Sequence, residues 1–193
     1  MLIRAAIGMA IALSLCSCEP ELGPTPGTEA PTGQLILTKV APPTESSRMM
    51  LESFYTLHLR NRDPGVPDVY LLDGYRPYLS ERLIAQLERA RERRVAAITA
   101  HPDEKPPFVE GDLFSSLFEG PTGFTIGKPI RLDDDHQRLP VVFINVVPGQ
   151  PPERWTDYAE MVHEESGWKL DDLEYGGQWE FASQGRLSQT LPR

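Results

Sequence analysis

Trp155-Thr-Asp-Tyr-Ala-Glu-Met-Val-His-Glu-Glu-Ser-Gly-Trp-Lys-Leu-Asp-Asp-Leu-Glu-Tyr175 is the stretch that decides the fold. Two runs carrying Trp, Tyr, Val and Leu flank Ser166-Gly167, a tight-turn pair. Residues 155–165 and 168–175 therefore predict an antiparallel hairpin. With Ser166-Gly167 as its two-residue turn, Glu164 falls opposite Lys169, an exposed pair of little energetic weight. Residues 139–147 and 124–132 have the same β-rich character. The breaks are Asp133-Asp-Asp-His136 and Pro148-Gly-Gln-Pro-Pro152. Short connections make sequence neighbours antiparallel, so about four strands form a meander.

Upstream of these strands the apolar period is helical. Ser46 or Ser47 is placed to cap a helix running to Asn61, with Met50, Leu51, Phe54, Leu57 and His58 on one face. Pro64 and Gly65 end it. Residues 67–77 read as a loop. Ser80 caps a second helix over 81–100, with a stripe of Leu83, Ile84, Leu87, Ala90, Ala97 and Ile98. Residues 106–123 read as irregular, with one helical turn at 112–118. Helices first and strands later indicate an α+β fold, the helices packed on one sheet face. The tail, 178–193, is expected to dock through Trp179 and Phe181 and then fray.

The 193 residues suffice for one good core, with Pro at 19 positions excluding an uninterrupted helical bundle. A net charge of −9 argues against sequence-independent binding to nucleic acid, which needs cations against phosphate. Both cysteines lie near the start, after Arg4 and the apolar run Ala5-Ala-Ile-Gly-Met-Ala-Ile-Ala-Leu13. That layout is a secretory signal, too short to span a bilayer. Leu15-Cys16-Ser17-Cys18 resembles the lipobox of bacterial lipoproteins. The small Ser17 before Cys18 makes Cys18 the expected lipidation site, with residues 1–17 as signal peptide and Cys16 leaving with it. More than one acyl chain gives stable anchoring. Residues 18–43, rich in Pro, Gly, Thr and Glu, read as an extended tether. Residues 44–193 form the single domain.

Several motifs carry a family resemblance beyond the lipobox: Phe54-Tyr55 in the first helix, Pro77-Tyr-Leu-Ser-Glu-Arg-Leu83 opening the second, and Gly111-Asp-Leu-Phe-Ser-Ser-Leu-Phe118. The meander then ends in Gly167-Trp-Lys-Leu-Asp-Asp-Leu173-Glu-Tyr-Gly-Gly177. This resembles bacterial envelope lipoproteins bearing domain of unknown function 3828. The resemblance implies a cystatin-like, nuclear-transport-factor-2-like cone, a curved antiparallel sheet wrapped around helices. It implies no catalytic residues, and such a fold does not decide function.

Candidate chemistry is sparse. In a cone, Tyr55, His58 and Arg94 would line the concave interior as a ligand pocket. His58 is either an acid–base or ligand-donating group there or a core histidine bonded to the backbone. Arg94 falls beside Leu83 on the helical wheel, and Arg91 lies close by. A guanidinium facing inward must be paired. It can grip a ligand carboxylate or phosphate, pair with Asp112 or Glu119, or snorkel to water. Asp133-Asp134-Asp135-His136 lacks the alternating oxygen spacing and the glycine of a calcium loop and reads as a solvated turn. His101, His136 and His163 are too scattered for a zinc site. Asp157 with Asp171 or Asp172 is a remote candidate acid pair, and these carboxylates otherwise read as an outward acidic face. No phosphate loop and no Gly-x-Ser-x-Gly motif occurs. No cofactor and no metal is expected.

The expectation is a lipid-anchored, periplasm-facing binding module that contacts another envelope protein. Its contact surfaces would be the concave sheet face and the aromatic tail at Trp179 and Phe181. A small-ligand carrier with a pocket near His58 and Arg94 is the alternative, and an enzyme of unrecognised type the third. Glu19, rather than Asp, after Cys18 favours the outer membrane over the inner.

Overall fold

The computed structural model describes residues 44–193; the expected signal peptide, Cys16, Cys18 and the tether lie outside the described residues. The chain order is α1 (Thr44–Asn61), α2 (Val69–Tyr75), α3 (Glu81–Ala100), β1 (Gly123–Ile126), β2 (Ile130–Arg131), β3 (His136–Asn145), β4 (Glu153–Glu164), β5 (Gly167–Glu174) and α4 (Leu187–Thr190). The strands form one antiparallel sheet in the order β1-β3-β4-β5, with β2 also on β3. This is an α+β fold with five strands. The fifth arises because residues 124–132 do not run straight through. Pro129 has no N–H for a ladder, and Gly127 approaches Pro140 so closely that its N–H bonds the Pro140 carbonyl at 2.8 Å.

α3 starts as its cap dictates, the Ser80 hydroxyl accepting from Leu83 N at 3.0 Å. α1 differs from expectation at its start. It begins at Thr44, and Ser47 lies inside it, buried, donating to the Gln137 side chain at 2.6 Å and so fastening α1 to β3. The expected loop at 67–77 contains α2. Asp68 caps it, accepting from Leu71 N at 2.8 Å, and Leu72 and Tyr75 face inward. A helix of seven residues can offset its nucleation cost through such burial.

β4 and β5 pair two residues out of the expected alignment, because the turn lies one residue earlier. The turn is Glu165-Ser166, Glu164 faces Gly167, and Val162 faces Lys169. No Glu164–Lys169 pair forms. Glu164 instead accepts from Glu81 N at 3.0 Å, and Lys169 is buried, donating to the Pro77 carbonyl at 2.6 Å. A bulge follows, because Met161 pairs with Leu170 while Glu160 pairs with Asp172. The extra residue bends and twists the strand, which curves the sheet.

α1 lies across the sheet, touching β1 and β5. Leu51, Phe54 and Tyr55 meet Leu139, Val141, Phe143, Ala159, Leu170 and Leu173 in one core. Phe54 sits among Tyr55, Tyr75 and Phe114, with centroids 5.0–5.2 Å away and edges toward faces. The concave face is therefore packed core and offers no contact surface. Residues 112–118 form no helical turn, so their carbonyls need other donors. The Tyr55 hydroxyl donates to the Phe114 carbonyl at 3.0 Å and that of Tyr175 to Leu113 at 2.8 Å. The tail does not fray as expected. Leu187 and Leu191 are buried on either end of α4, against β5, whereas Phe181 stays 81% exposed. No described helix is long and apolar enough to cross a membrane.

Candidate functional site

α1 delivers His58 to the end of the core, where it meets the 111–121 segment. The His58 Nε2 lies 3.0 Å from Asp112 Oδ1, and Nδ1 lies 2.9 Å from the Tyr75 hydroxyl. A carboxylate can only accept, so Nε2 carries a proton, and in the neutral ring Nδ1 then accepts from the Tyr75 hydroxyl. Asp112 is further held by Phe114 N at 2.7 Å and by the Ser115 hydroxyl at 3.1 Å. Burial, and then the charge of Asp112, push the Tyr75 phenol well above its ordinary value, so it remains a donor.

Of these groups, His58 and Asp112 floor a cavity of about 260 Å³ at the C-terminal end of α1. Its apolar wall is Leu59, Pro64, Phe118 and Pro121, and its charged rim is Arg62, Asp63 and Glu119. The backbone explains the shape. Arg62 terminates α1 with φ +48°, its N–H bonded to the His58 carbonyl at 3.0 Å. Such a conformation in a non-glycine residue costs roughly 1 kcal/mol. Gly65 has φ +72° and runs against Phe108, and its N–H bonds the Gly111 carbonyl at 2.7 Å. These contacts hold residues 62–66 against residues 108–111 at the edge of the cavity.

The three residues expected to share a pocket do not. Among them only His58 lines the cavity. Tyr55 is wholly buried in the core with its hydroxyl spent on Phe114. Arg94 donates to the Val66 carbonyl at 2.9 Å and pairs with neither Asp112 nor Glu119. Asp112 is already taken by His58, and a partly exposed guanidinium needs no carboxylate. His58 bonds to two side chains, so it is also not the backbone-bonded core histidine of the simpler reading. Among the described residues no hydroxyl lines the cavity: Tyr75 and Ser115 lie beneath it, and the Ser115 hydroxyl points to Asp112 and the Leu117 carbonyl.

The carboxylates expected on an outward face divide. Asp157 is wholly buried, accepting from Ser116 N at 2.7 Å, Gly176 N at 2.8 Å, Trp155 Nε1 at 3.2 Å and closely from the Ser116 hydroxyl. Its position was legible in the alternation of Trp155, Asp157, Ala159 and Met161, which all face the core. Asp172 is buried beneath Ser188, while Asp171 holds Arg82 and the Ser80 hydroxyl. They form no acid pair. Asp133 closes its own turn, accepting from Asp135 N at 2.9 Å and lying 2.9 Å from His136 Nδ1.

A second surface feature adjoins the cavity. Phe118, 51% exposed, Phe181 and Trp179 line a groove with Leu117, Glu119 and Glu153. Trp179 stands edge-on to Trp155 at 5.5 Å, which fixes its ring. The Phe118 ring forms a wall of both the groove and the cavity.

No family model and no curated protein matches the chain. A crystal structure of a protein of unknown function from Bacteroides thetaiotaomicron VPI-5482 is similar at 15% identity. It covers 67% of this chain and 89% of that one, with a TM-score of 0.39.

Proposed function

We propose that the protein is a lipid-anchored binding module of the bacterial envelope, held by acylated Cys18 and facing the periplasm. Residues 18–43 act as the tether, at the outer rather than the inner membrane. The domain contacts another envelope protein through the groove lined by Phe118, Trp179 and Phe181. The observation that carries this reading is the exposure of Phe181 and Phe118 beside a fixed Trp179. Aromatic side chains that lose little entropy on contact dominate protein interfaces. The resemblance to lipoproteins bearing domain of unknown function 3828 is consistent with it.

Photo-crosslinking in cells tests the contact. Phe181→p-benzoylphenylalanine is expected to give a discrete adduct that disappears when Trp179→Ala is added. The same label at Tyr70, exposed on α2, is expected to give none. Equal adducts at both positions, or none at 181, would overturn the reading. Labelling with palmitate, lost in Cys18→Ala, tests the anchor separately. The cavity beside His58 favours a second reading, a small-ligand carrier.

A further inference from the structure

We infer that the cavity at the end of α1 takes a small zwitterion of the amino-acid class with an apolar side chain. This deepens the small-ligand reading and is independent of the protein contact at Phe181. The argument starts with what the cavity does not offer. Both nitrogens of His58 are engaged, and both oxygens of Asp112 are bonded. They make a rigid floor with no free group. What remains is the rim. The Arg62 Nε donates to the Leu59 carbonyl at 3.2 Å, which steadies the guanidinium and leaves its terminal nitrogens without a partner among the described residues. Asp63 and Glu119 form no ion pair or hydrogen bond among the described residues.

The mouth of the cavity thus presents the exposed Arg62 guanidinium and the exposed Asp63 and Glu119 carboxylates, which do not pair with one another. Between them lie Leu59, Pro64, Phe118 and Pro121. A guanidinium matches a carboxylate through paired N–H donors, and carboxylates match an ammonium. A ligand carrying a carboxylate and an ammonium on one carbon satisfies both kinds of charge at once. Its side chain then lies on the apolar wall. The volume of about 260 Å³ admits one amino acid rather than a long peptide. A simple cation would leave Arg62 repelling it, and a simple anion would face two carboxylates.

Isothermal titration calorimetry on the purified full chain tests this, with L-leucine, leucinamide and N-acetylleucine as probes. Leucine is expected to bind, and removal of either charge to weaken binding by roughly tenfold or more. Arg62→Gly, which suits the positive φ, is expected to abolish the preference for leucine over leucinamide. Glu119→Gln is expected to reduce the preference for leucine over N-acetylleucine. Phe181→Ala should bind leucine as the parent does. Leucinamide binding as well as leucine would overturn the zwitterion while leaving the small-ligand reading in place. Absence of heat with all three probes would overturn both. Unchanged leucine binding in Arg62→Gly would move the site elsewhere and overturn the assignment.

Discussion

Removing the Asp157 carboxylate tests how the irregular 111–118 segment is held to the sheet. The group is fully buried and accepts from Ser116, Gly176 and Trp155. Asp157→Ala strands Ser116 N, Gly176 N and Trp155 Nε1, each costing about 1–3 kcal/mol when left unpaired. Water entering the space offsets part of this, so the expected loss is about 4 kcal/mol. Urea denaturation followed by tryptophan fluorescence reads it, and the Trp155–Trp179 contact lies beside the change. A second variant supplies the sign. Burial raises the Asp157 carboxyl above its ordinary value, against the opposing hydrogen bonds of Ser116, Gly176 and Trp155. The folded chain then holds this proton more tightly than the unfolded chain does. The stability so gained is complete below the ordinary carboxylate value and is lost as pH rises through the raised one. Asp157→Asn cannot titrate, so the stability gap between the protein and this variant should narrow as pH rises. A loss under about 1 kcal/mol for the alanine variant, or a gap that widens with pH, refutes the reasoning.

Arg94→Ala removes one hydrogen bond to the Val66 carbonyl and strands no carboxylate, so denaturation should show a loss of about 1 kcal/mol. A cost near that of a broken buried ion pair, about 3–5 kcal/mol, would contradict this placement. Gly65→Ala combines a positive φ with overlap against the Phe108 carbonyl, and its thermal midpoint should fall by the equivalent of more than about 2 kcal/mol. A near-neutral result would mean that the 62–66 and 108–111 segments do not meet.

The fold class was legible because local signals and burial agreed. Ser80 before a helical stripe starts α3 at the expected residue, and alternation marks β3 and β4. α2 escaped notice because Pro67, Gly74 and Pro77 are loop signals, and only the burial of Leu72 and Tyr75 outweighs them. His58 stood out on its helix face. Its partners did not, because Tyr75 and Asp112 belong to different elements.

By itself the sequence determined that helices precede an antiparallel meander, the start of α3, and the C-terminal ends of α1 and α3. Those depend on residues within a few positions of one another, where spacing and capping act directly. Tertiary structure alone decided the β4–β5 register, since a turn of Glu165-Ser166 differs from Ser166-Gly167 by one residue of chain. That moves every partner by two residues and leaves the same side chains facing inward, so contacts outside the hairpin select it: Glu81 N to Glu164 and Lys169 to the Pro77 carbonyl. It also decided that Arg94 would find the Val66 carbonyl, and that Asp112 would hold His58. Each of those pairings joins groups far apart along the chain, and it forms only when packing has brought their elements together and excluded the competing partners.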